Sequence, residues 1–600
     1  MLLNLLGVRS KIAIFISMDS NSRVIRKDIK KLIPAPNLAN YEKTYKDFSW
    51  GKAESDIEFF PDGTLNAAYN MVDRHVKNGN GGKDALLFES VDGKTEKYSF
   101  EELAKLSNQF GNVLSTESIK KGDRVFIFLP PIPERYIAFI GILKLGAIAG
   151  TLFSAFQEEA LMDRLSDSGA TMIVTNASLF PRVEKIWKKL PNLEKVLIVE
   201  RGGENQPEGE NIIYYNQEMK RASEKFEIAH LDKNDFSYML YTSGTTGKPK
   251  GVVHVHYDIL QAIETTKFVL DIHTQDVYWC TADLGWVTGV VYGALGPWGL
   301  GATQVVYEGR FSPENWYKLL AKYKVTVWYT APTAIRLLMG AQIDLKKFDF
   351  SSLRHLCSVG EPLNPEAIWW ALEAYGLPFH DTWWQTELGG ISITNYPILD
   401  IKPGSMGKPF PGIVAGIIDD KGNELPVGKE GKLALKTSTV SSLMKLIWNN
   451  PKKFGSYFIG DWYVSGDQAY KDRDGYFWFV GRADDVIKTS GERIGPFEVE
   501  SSLVECLEVI EAGVIGKPDK VRGEIIKAFV VLKPGVEGTE DLKEKLKAHV
   551  KQHLAGHAYP KEIEFIDKLP KTRSGKIMRR VLKAKELGLP IGDISTLEDY

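Results

Sequence analysis

The chain has 600 residues, of which 44% are hydrophobic and 25% charged, and its formal net charge is -2. Single hydrophobic cores stop growing at roughly 250 to 300 residues, so at least two domains are expected. The composition excludes disordered, collagen-like and coiled-coil proteins. The 75 basic and 77 acidic residues leave no overall positive charge, and we therefore expect no nucleic acid partner.

Cysteine use and hydropathy predict a cytoplasmic protein without a membrane partner. The cysteines are far apart and lack the spacing of a disulfide framework or a zinc site, which favours a reducing compartment: Cys280, Cys357 and Cys506. Arg9 and Lys11 interrupt the apolar N-terminal run, which argues against a secretory signal. Residues 284–307 are uncharged but contain Pro297 and six glycines, and we expect buried loops and strands there rather than a membrane helix.

From about residue 97 the hydrophobic pattern alternates between helix and strand. Ser99 followed by Glu102 is a capping box, which predicts a helix through about residue 114. Residues 132–150 are apolar at helical spacing, and strands are predicted at 122–130, 171–176 and 195–200. This alternation is typical of a mostly parallel sheet covered by helices, so the predicted fold class is α/β.

The C-terminal third has a different pattern. Residues 404–480 are rich in glycine and in short β-prone runs, and Asp474-Gly475 between apolar segments is a hairpin turn signal. An antiparallel β subdomain is expected there. It is followed by helix and strand patterns, including a helix that ends at Gly556, which predict a small α+β domain.

The string YTSGTTGKPKG at 241–251 follows a predicted strand, FSYML. Gly244 and Gly247 let backbone amides converge on an anion without obstruction by Cβ atoms. Hydroxyl and ammonium donors come from neighbouring side chains: Thr242, Ser243, Thr245, Thr246, Lys248 and Lys250. The spacing differs from that of the P-loop of nucleotide hydrolases. The pattern predicts a phosphate-binding loop, with a solvated loop carrying two surface lysines as the alternative.

This string resembles the phosphate-loop signature of the adenylate-forming superfamily of acyl-CoA synthetases. The resemblance continues in the family's order and covers roughly residues 40–590, through GEPLNPEA at 360–367, DTWWQTELGG at 381–390, YVSGDQAYKDRDGYFWFVGRADDVIKTSGERIGP at 463–496 and PKTRSGKIMRR at 570–580. The adjacent Trp383 and Trp384 resemble the subfamily of acetyl-CoA synthetases. The resemblance implies that acetate and ATP form acetyl-AMP and pyrophosphate, and that coenzyme A then displaces AMP to give acetyl-CoA.

The resemblance also implies a nucleotide site. Its phosphate part is the 242–250 loop, and Glu387 is expected to ligate Mg2+ beside Thr386. Asp467 is expected to accept both ribose hydroxyls, with Arg482 and Arg493 reaching ribose and phosphate. The residues expected to line the base are Gly360, Glu361 and Pro362 on one side and Asp381, Thr382, Trp383 and the nearby Gln385 on the other. Glu492 departs from the histidine of many family members and adds a negative charge beside this site.

A mobile C-terminal lobe is a further implication of the resemblance. Lys576 is expected to contact the α-phosphate and the substrate carboxylate during adenylation, and acylation of its amine by a lysine acyltransferase, reversed by a deacylase, is expected to regulate it. The lobe would then rotate about Asp484, and coenzyme A would pass Gly491. The implied boundaries are an N-terminal extension at 1–40, a large adenylate-forming domain at 41–482, a hinge at 483–486 and a small domain at 487–600.

Substrate choice is expected to depend on Trp384, whose bulk would form the floor of the acyl pocket and exclude longer chains. The walls would be Val287, Thr288 and Val359. One methylene in an apolar pocket is worth only about 1 to 3 kcal/mol, so propionate, 3-hydroxypropionate and acrylate stay open as alternatives to acetate. An idle nucleotide-binding homologue and RNA binding through the basic C-terminal run are the competing functions, and the oligomeric state is left open.

Overall fold

The computed structural model describes residues 14–19, 22–202, 206–244, 247–341, 343–489, 492–519, 522–554, 558–572, 576–591 and 597. Residues 14–19, 22, 23, 243, 244, 247, 248, 492 and 493 are described by their backbone alone. The architecture is α/β, with two large sheets, a smaller C-terminal sheet and helices packed on their faces, which confirms the predicted fold class.

The strands, numbered along the chain, are β1 (Ile14–Asp19), β2 (Ser22–Lys27), β3 (Asp84–Glu89), β4 (Thr95–Ser99), β5 (Arg124–Ile127), β6 (Ile148–Thr151), β7 (Met172–Asn176), β8 (Lys195–Val199), β9 (Ile212–Tyr214), β10 (Phe236–Gly244), β11 (Gly247–Val255), β12 (Val277–Cys280), β13 (Thr303–Tyr307), β14 (Val327–Thr330), β15 (His355–Ser358), β16 (Phe379–Trp383), β17 (Ile393–Thr394), β18 (Ser405–Pro409), β19 (Ala415–Ile418), β20 (Gly431–Lys436), β21 (Leu446–Ile447), β22 (Phe458–Ile459), β23 (Trp462–Lys471), β24 (Phe477–Arg482), β25 (Ile487–Thr489), β26 (Glu492–Ile494), β27 (Val509–Asp519), β28 (Gly523–Leu532) and β29 (Glu562–Phe565).

The α-helices are α1 (Tyr41–Asp47), α2 (Trp50–Ala53), α3 (Arg74–Lys77), α4 (Phe100–Thr116), α5 (Pro133–Leu145), α6 (Glu158–Ser168), α7 (Phe180–Trp187), α8 (Tyr215–Arg221), α9 (Ile259–Phe268), α10 (Val287–Val290), α11 (Gly296–Gly299), α12 (Pro313–Lys322), α13 (Pro332–Gly340), α14 (Pro365–Tyr375), α15 (Pro451–Gly455), α16 (Pro496–Val504), α17 (Glu540–His553) and α18 (Arg579–Leu587). The predicted capping box of Ser99 and Glu102 is present at the start of α4.

The first large sheet has the order β21-β11-β10-β6-β5-β7-β8-β9. Strands β5 to β10 pair in parallel, whereas β11 and β21 are antiparallel additions at one edge. Strands β5 to β8 are short hydrophobic runs with few exposed positions, as expected where helices cover both faces of a parallel sheet.

The second large sheet combines the parallel strands β3, β13, β12, β14, β15 and β16 with an antiparallel part. From β16 the sheet continues through β17, β18, β24, β23, β20 and β19, each antiparallel to its neighbour. The predicted turn at Asp474-Gly475 joins β23 and β24, and Gly475 has φ +83°, a conformation that glycine adopts without strain.

Residues 487–591 form what we call the C-terminal unit. Its sheet has the order β26-β25-β28-β27, with β29 paired in parallel to β28. It has its own hydrophobic core, formed by residues of α16, α17 and the central strands. We call residues 22–482 the main body.

One part of the chain differs from the expectation. Residues 287–299 are helical, because a π-helical turn (Val291–Leu295) joins α10 to α11, and Pro297 directly follows that turn. The prediction of loops and strands was wrong for 287–299, whereas 284–286 and 300–302 are turns or loops and 303–307 is β13. Within the segment expected as an N-terminal extension, Ile25 is fully buried and pairs with Ile401.

Within the described ranges, every helix is too short or too polar to cross a lipid bilayer. The predicted helix end at Gly556 lies outside the described residues; α17 itself ends at His553.

Candidate active site

A cleft of about 840 Å³ lies between the main body and the C-terminal unit. It is lined by the ends of β10, β15 and β16, by β23 and β24, and by α18 of the C-terminal unit. The predicted site residues that line it are Thr242, Lys250, Val287, Thr288, Val359, Gly360, Glu361, Pro362, Asp381, Thr382, Trp383, Trp384, Gln385, Thr386, Glu387, Asp467, Arg482, Asp484 and Lys576. The tertiary structure therefore brings residues from separate motifs to one place.

The predicted phosphate loop is a β-hairpin. Strands β10 and β11 pair as far as Gly244 and Gly247, so most of the string lies on extended backbone rather than in an open loop. The Thr242 hydroxyl is buried at the cleft and has no hydrogen-bond partner among the described residues, which fits an anion with acceptor oxygens. Thr245 and Thr246 lie outside the described residues, and Ser243 and Lys248 are described by backbone alone.

Lys250, on the same hairpin, points toward Glu387. Its Nζ lies 3.3 Å from the Tyr457 hydroxyl, and that hydroxyl donates to Glu387 Oε1 over 2.8 Å. Burial, together with the nearby cation of Lys453, lowers the pKa of Lys250. A cation held at this position in a partly desolvated site favours the arrival of an anion.

Thr386 and Glu387 lie in a 3-10 turn (Thr386–Leu388) that follows β16. Such a turn leaves its carbonyls unsatisfied, and here three consecutive carbonyls are bound from outside. His254 Nε2 lies 2.8 Å from the Thr386 oxygen, Met444 N donates to Glu387 O over 2.8 Å, and Ser442 Oγ donates to the Leu388 oxygen over 2.7 Å. The backbone around Glu387 is therefore fixed by hydrogen bonds from three residues elsewhere in the chain.

Asp467 and Arg482 face each other across β23 and β24 as a register pair. Arg482 Nη1 donates to Asp467 Oδ1 over 2.7 Å, while Trp383 Nε1 and Gln385 Nε2 donate to Oδ2 over 2.9 and 3.2 Å. Burial raises the pKa of Asp467, and Arg482 opposes that shift. Burial alone would lower the pKa of the Arg482 guanidinium, but the nearby carboxylates of Asp467 and Asp484 have the larger effect, so the pKa is raised.

The GEP segment and β16 form another wall. Gly360 has φ +101°, which side-chain-bearing residues rarely adopt. Glu361 accepts hydrogen bonds from Thr333 Oγ1 (2.6 Å) and Arg336 Nη2 (3.0 Å). Asp381 accepts from Ser358 Oγ over 2.7 Å, yet burial raises the pKa of this carboxyl to about 7.

The four predicted acyl-pocket residues lie together on the cleft, although they come from three separate segments. Trp384 directly follows β16. The edge of the Tyr292 ring packs against it with centroids 5.1 Å apart, and its indole N–H donates to the Tyr329 hydroxyl over 3.3 Å.

Lys576 enters the cleft from the C-terminal unit. Thr572 N donates to the Lys576 oxygen over 2.7 Å, and Lys576 N donates to Thr572 Oγ1 over 3.1 Å. The Lys576 side chain is exposed to the open space of the cleft. Partial desolvation by the cleft walls, with the nearby Arg482, lowers the pKa of the ammonium, while Asp467 and Asp485 oppose the shift.

The remaining predicted residues are less completely described. Asp484 lies in the connection between β24 and β25, with its Oδ1 3.9 Å from Arg482 Nε. Gly491 lies outside the described residues. Arg493 and Glu492 lie on β26 and are described by backbone alone.

Models of known protein families match two parts of the chain. Residues 72–446 match the AMP-binding enzyme family, and residues 498–576 match the C-terminal domain of AMP-binding enzymes. The chain belongs to the AMP-binding enzyme family. The two matched parts fall in the main body and in the C-terminal unit, and both contribute to the cleft.

Relatives of this AMP-binding enzyme include acetyl-coenzyme A synthetases. That of Bacillus subtilis is 55% identical over 94% of this chain and 98% of its own length. That of Methanothrix thermoacetophila is 42% identical over 92% of this chain and 89% of its own. Among solved structures, the anthranilate CoA ligase AuaEII in complex with anthranoyl-AMP covers 89% of this chain and 99% of its own, with 31% identity and a TM-score of 0.81.

Sequence reasoning missed several residues that shape the site of this AMP-binding enzyme. Arg336 is the one charged residue of the apolar helix α13, a signal that could have singled it out, because a buried charge needs a partner. His254 and Tyr457 contact the Thr386–Glu387 segment from other elements. No local pattern identifies them, since their partners lie 132 and 70 residues away along the chain.

Proposed function

We propose that the protein activates acetate with ATP to form acetyl-AMP and pyrophosphate, and then transfers the acetyl group to coenzyme A with release of AMP. The observation that carries the proposal is the position of Lys576, whose ammonium group shares one cleft with Lys250, Glu387 and Trp384. High identity to acetyl-coenzyme A synthetases over nearly the whole chain supports the same reaction.

The first half-reaction joins two anions. A carboxylate oxygen attacks the α-phosphorus of ATP, and the bond to the bridging oxygen of pyrophosphate breaks. The hairpin residues Thr242 to Lys250 hold the β- and γ-phosphates in this proposal, and Lys576 stabilises the charge that develops around the α-phosphate. Bringing the reactants together in a fixed orientation supplies much of the remaining rate.

The nucleotide is oriented by the walls of the cleft. Asp467 accepts from the ribose hydroxyls, and Arg482, with Arg493, neutralises phosphate charge. The base is proposed to lie between the GEP segment of Gly360, Glu361 and Pro362 and the residues of β16 and its end: Asp381, Thr382, Trp383 and Gln385. A flat base favours such contacts with backbone and aromatic surfaces.

Glu387 is the proposed ligand of Mg2+, with Thr386 beside it. The donor chemistry fits, because Tyr457 donates to only one carboxylate oxygen of Glu387 and the residue lines the cleft beside Lys250. A hard cation of this kind takes one or two carboxylates and otherwise phosphate and water oxygens. When bound, it supplies positive charge against the phosphate oxygens.

The acyl pocket is proposed to accept little beyond a methyl group. Trp384 forms its floor, and Val287, Thr288 and Val359 form its walls. Acetate is the preferred substrate, with propionate slower, since one methylene changes binding by only about 1 to 3 kcal/mol. Trp384→Gly should extend the accepted chain length, measured as AMP release with C2 to C8 acids. An unchanged profile would assign the chain-length limit to another residue.

We also propose two domains, 41–482 within the main body and 487–600 containing the C-terminal unit, joined by a hinge at 483–486 that includes Asp484. Separate sheets and separate cores support this division. Rotation at the hinge would remove Lys576 after adenylation and let coenzyme A enter past Gly491. The three cysteines are unpaired, which supports a cytoplasmic location.

Acylation of Lys576 is a proposed regulatory modification. Its side chain is exposed to the cleft, and an acyl group would remove the charge that adenylation needs. A lysine acyltransferase and a deacylase are the partners that this proposal implies.

Two assays test the proposed function. Purified protein with ATP and Mg2+ should exchange labelled pyrophosphate into ATP only when a short carboxylate such as acetate is present. A panel of carboxylates, scored separately for AMP and for thioester, should rank acetate first. If none of the acids tested supports pyrophosphate exchange, the proposed reaction is rejected. A higher rate with propionate, 3-hydroxypropionate or acrylate than with acetate would reassign the substrate.

A further inference from the structure

Tyr329 lies directly behind the proposed acyl pocket and does not line the cleft. It belongs to β14 and is fully buried, with its ring edge against Tyr292 at a centroid distance of 5.6 Å. Its hydroxyl lies 2.7 Å from Thr382 Oγ1 and 3.3 Å from the indole nitrogen of Trp384. The residue thus connects β14 to β16, the two strands that flank β15, and to the side chain proposed as the pocket floor.

The direction of every hydrogen bond in this cluster follows from elementary chemistry. Thr382 Oγ1 lies 2.7 Å from the carbonyl oxygen of Ser358, which only accepts, so the threonine donates its proton there. Tyr329 must then donate to Thr382. Since an indole N–H only donates, Trp384 donates to the Tyr329 oxygen. These hydrogen bonds form a series from Trp384 through Tyr329 and Thr382 to the backbone of β15, and each donor proton has one defined acceptor.

We infer that Tyr329 is a specificity-determining residue, which sets the chain-length limit of the acyl pocket by fixing the orientation of the Trp384 indole. This inference rests on the proposed function, in which Trp384 is the pocket floor. Tyr329 does not touch the substrate. It is a positioning residue, because a partly buried indole N–H that turned away from its hydroxyl would lose this acceptor.

Tyr292 offers a matched control. It is also fully buried against Trp384, but its hydroxyl serves other groups: Ile391 N donates to it over 2.7 Å, and it lies 2.8 Å from Thr265 Oγ1. Thr265 donates to the Gln261 oxygen over 2.6 Å, so Tyr292 donates to Thr265. Tyr292→Phe therefore removes a buried hydroxyl from the same cluster without changing the hydrogen bond of Trp384.

The experiment compares kcat/KM for acetate, propionate and butyrate in the full-length protein. In Tyr329→Phe the preference for acetate over butyrate should fall by about five-fold or more, the equivalent of one hydrogen bond. In Tyr292→Phe it should change by less than about two-fold. Thermal unfolding of both variants measures the loss of stability caused by removing a buried hydroxyl. A merely structural role would lower stability in both variants without a selective change of acyl preference in Tyr329→Phe.

A double-mutant comparison completes the test. Trp384→Phe has no indole N–H, so adding Tyr329→Phe to it should leave the preference unchanged within about two-fold. Equal shifts in the Tyr329→Phe and Tyr292→Phe proteins, or a full Tyr329 effect in the Trp384→Phe background, would overturn the inference. Failure of the unmodified protein to activate any of these acids would instead reject the proposed function.

Discussion

At the scale of single residues, Lys576 combines two requirements that conflict. Its enclosure in the cleft and the nearby Arg482 lower the pKa of its ammonium group, whereas the proposed adenylation step needs the charge. The proton is therefore lost at a lower pH than for a lysine in water, and adenylation should decline at alkaline pH before thioester formation does.

Lys576→Gln removes the charge and keeps much of the side-chain length. Adenylation should fall by about 100-fold or more, because one preorganised charged group at the reacting phosphate is lost. Thioester formation from supplied acetyl-AMP should persist. Pyrophosphate exchange and the thioester assay measure the two steps separately, and an equal loss of both would contradict the assigned role.

Asp381 predicts a pH dependence of stability. Burial raises its pKa from the usual 3.8 to about 7, so between these values the folded state holds a proton that the unfolded state releases. The stabilisation from this group is present below about pH 4 and is lost as the pH rises through 7. Asp381→Asn should remove this pH-dependent decrease in the free energy of unfolding, which is on the order of a few kcal/mol. Urea unfolding of both proteins at pH 4.5 and 7.5 tests this, and parallel pH profiles would contradict it.

At the scale of secondary-structure elements, the helical segment 287–299 is positioned by glycine contacts with α9. A Cβ atom on Gly296 would lie 2.1 Å from Thr266 Oγ1 and 2.6 Å from the Ala262 oxygen, whereas a Cβ on Gly293 would meet nothing within 4 Å. The same segment carries Val287 and Thr288 of the proposed acyl pocket. Close approach to α9 therefore helps to set the shape of that pocket.

Gly296→Ala should destabilise the protein by about 1 to 3 kcal/mol, the usual cost of overpacking. Gly293→Ala, in the same segment, should be neutral or stabilising by up to about 1 kcal/mol, because alanine restricts the unfolded chain. Chemical denaturation of the two variants gives the comparison. A similar loss of stability in both would show that helical conformation, rather than contact with α9, decides the effect.

At the scale of the whole molecule, ionic contacts join the main body to the C-terminal unit. Arg336 of α13 binds Glu361 and lies with its Nε 3.5 Å from Glu511 Oε1 on β27, and all three are largely buried. Asn364 Nδ2 also donates to Ser501 Oγ over 2.9 Å. Glu361 belongs to the GEP segment of the proposed base-binding wall, and Glu511 belongs to the C-terminal unit. The Arg336 guanidinium therefore contacts both the proposed base-binding wall and the docked C-terminal unit.

Glu511 also pairs with Lys571 Nζ at 2.5 Å inside the C-terminal unit. Glu511→Gln therefore weakens two contacts, the one with Lys571 and the one with Arg336 across the cleft, and the second loss should loosen the docked orientation in which Lys576 occupies the cleft. Pyrophosphate exchange should fall by about ten-fold or more, because a buried ion pair is broken, while thioester formation from acetyl-AMP should change little. Lys571→Gln is the control, since Lys571 is the partner of Glu511 inside the C-terminal unit and its loss leaves Arg336 facing Glu511. Equal loss of both steps in Glu511→Gln would indicate damage to the unit itself.

The amino-acid sequence by itself determined the features that depend on near neighbours. The capping box at Ser99, the alternation that gives parallel strands, the turn at Gly475 and the glycine- and threonine-rich string at 241–251 on which the family resemblance rests were all readable, because each needs only residues a few positions apart. The fold class and the family followed from these. In the 284–307 stretch, glycine and proline suggested loops, but burial against α9 stabilised a helix with a π-turn instead.

The tertiary structure alone decided which side chains meet. Trp384 and Tyr329 are 55 residues apart along the chain, and Glu387 and Tyr457 are 70 apart. Sequence spacing carries no signal for such pairs, because their approach depends on strand order and on how the elements of the main body pack. A buried polar group must find its partner wherever the packed elements bring one within reach, so the hydrogen bonds that orient the site became visible only in the folded chain.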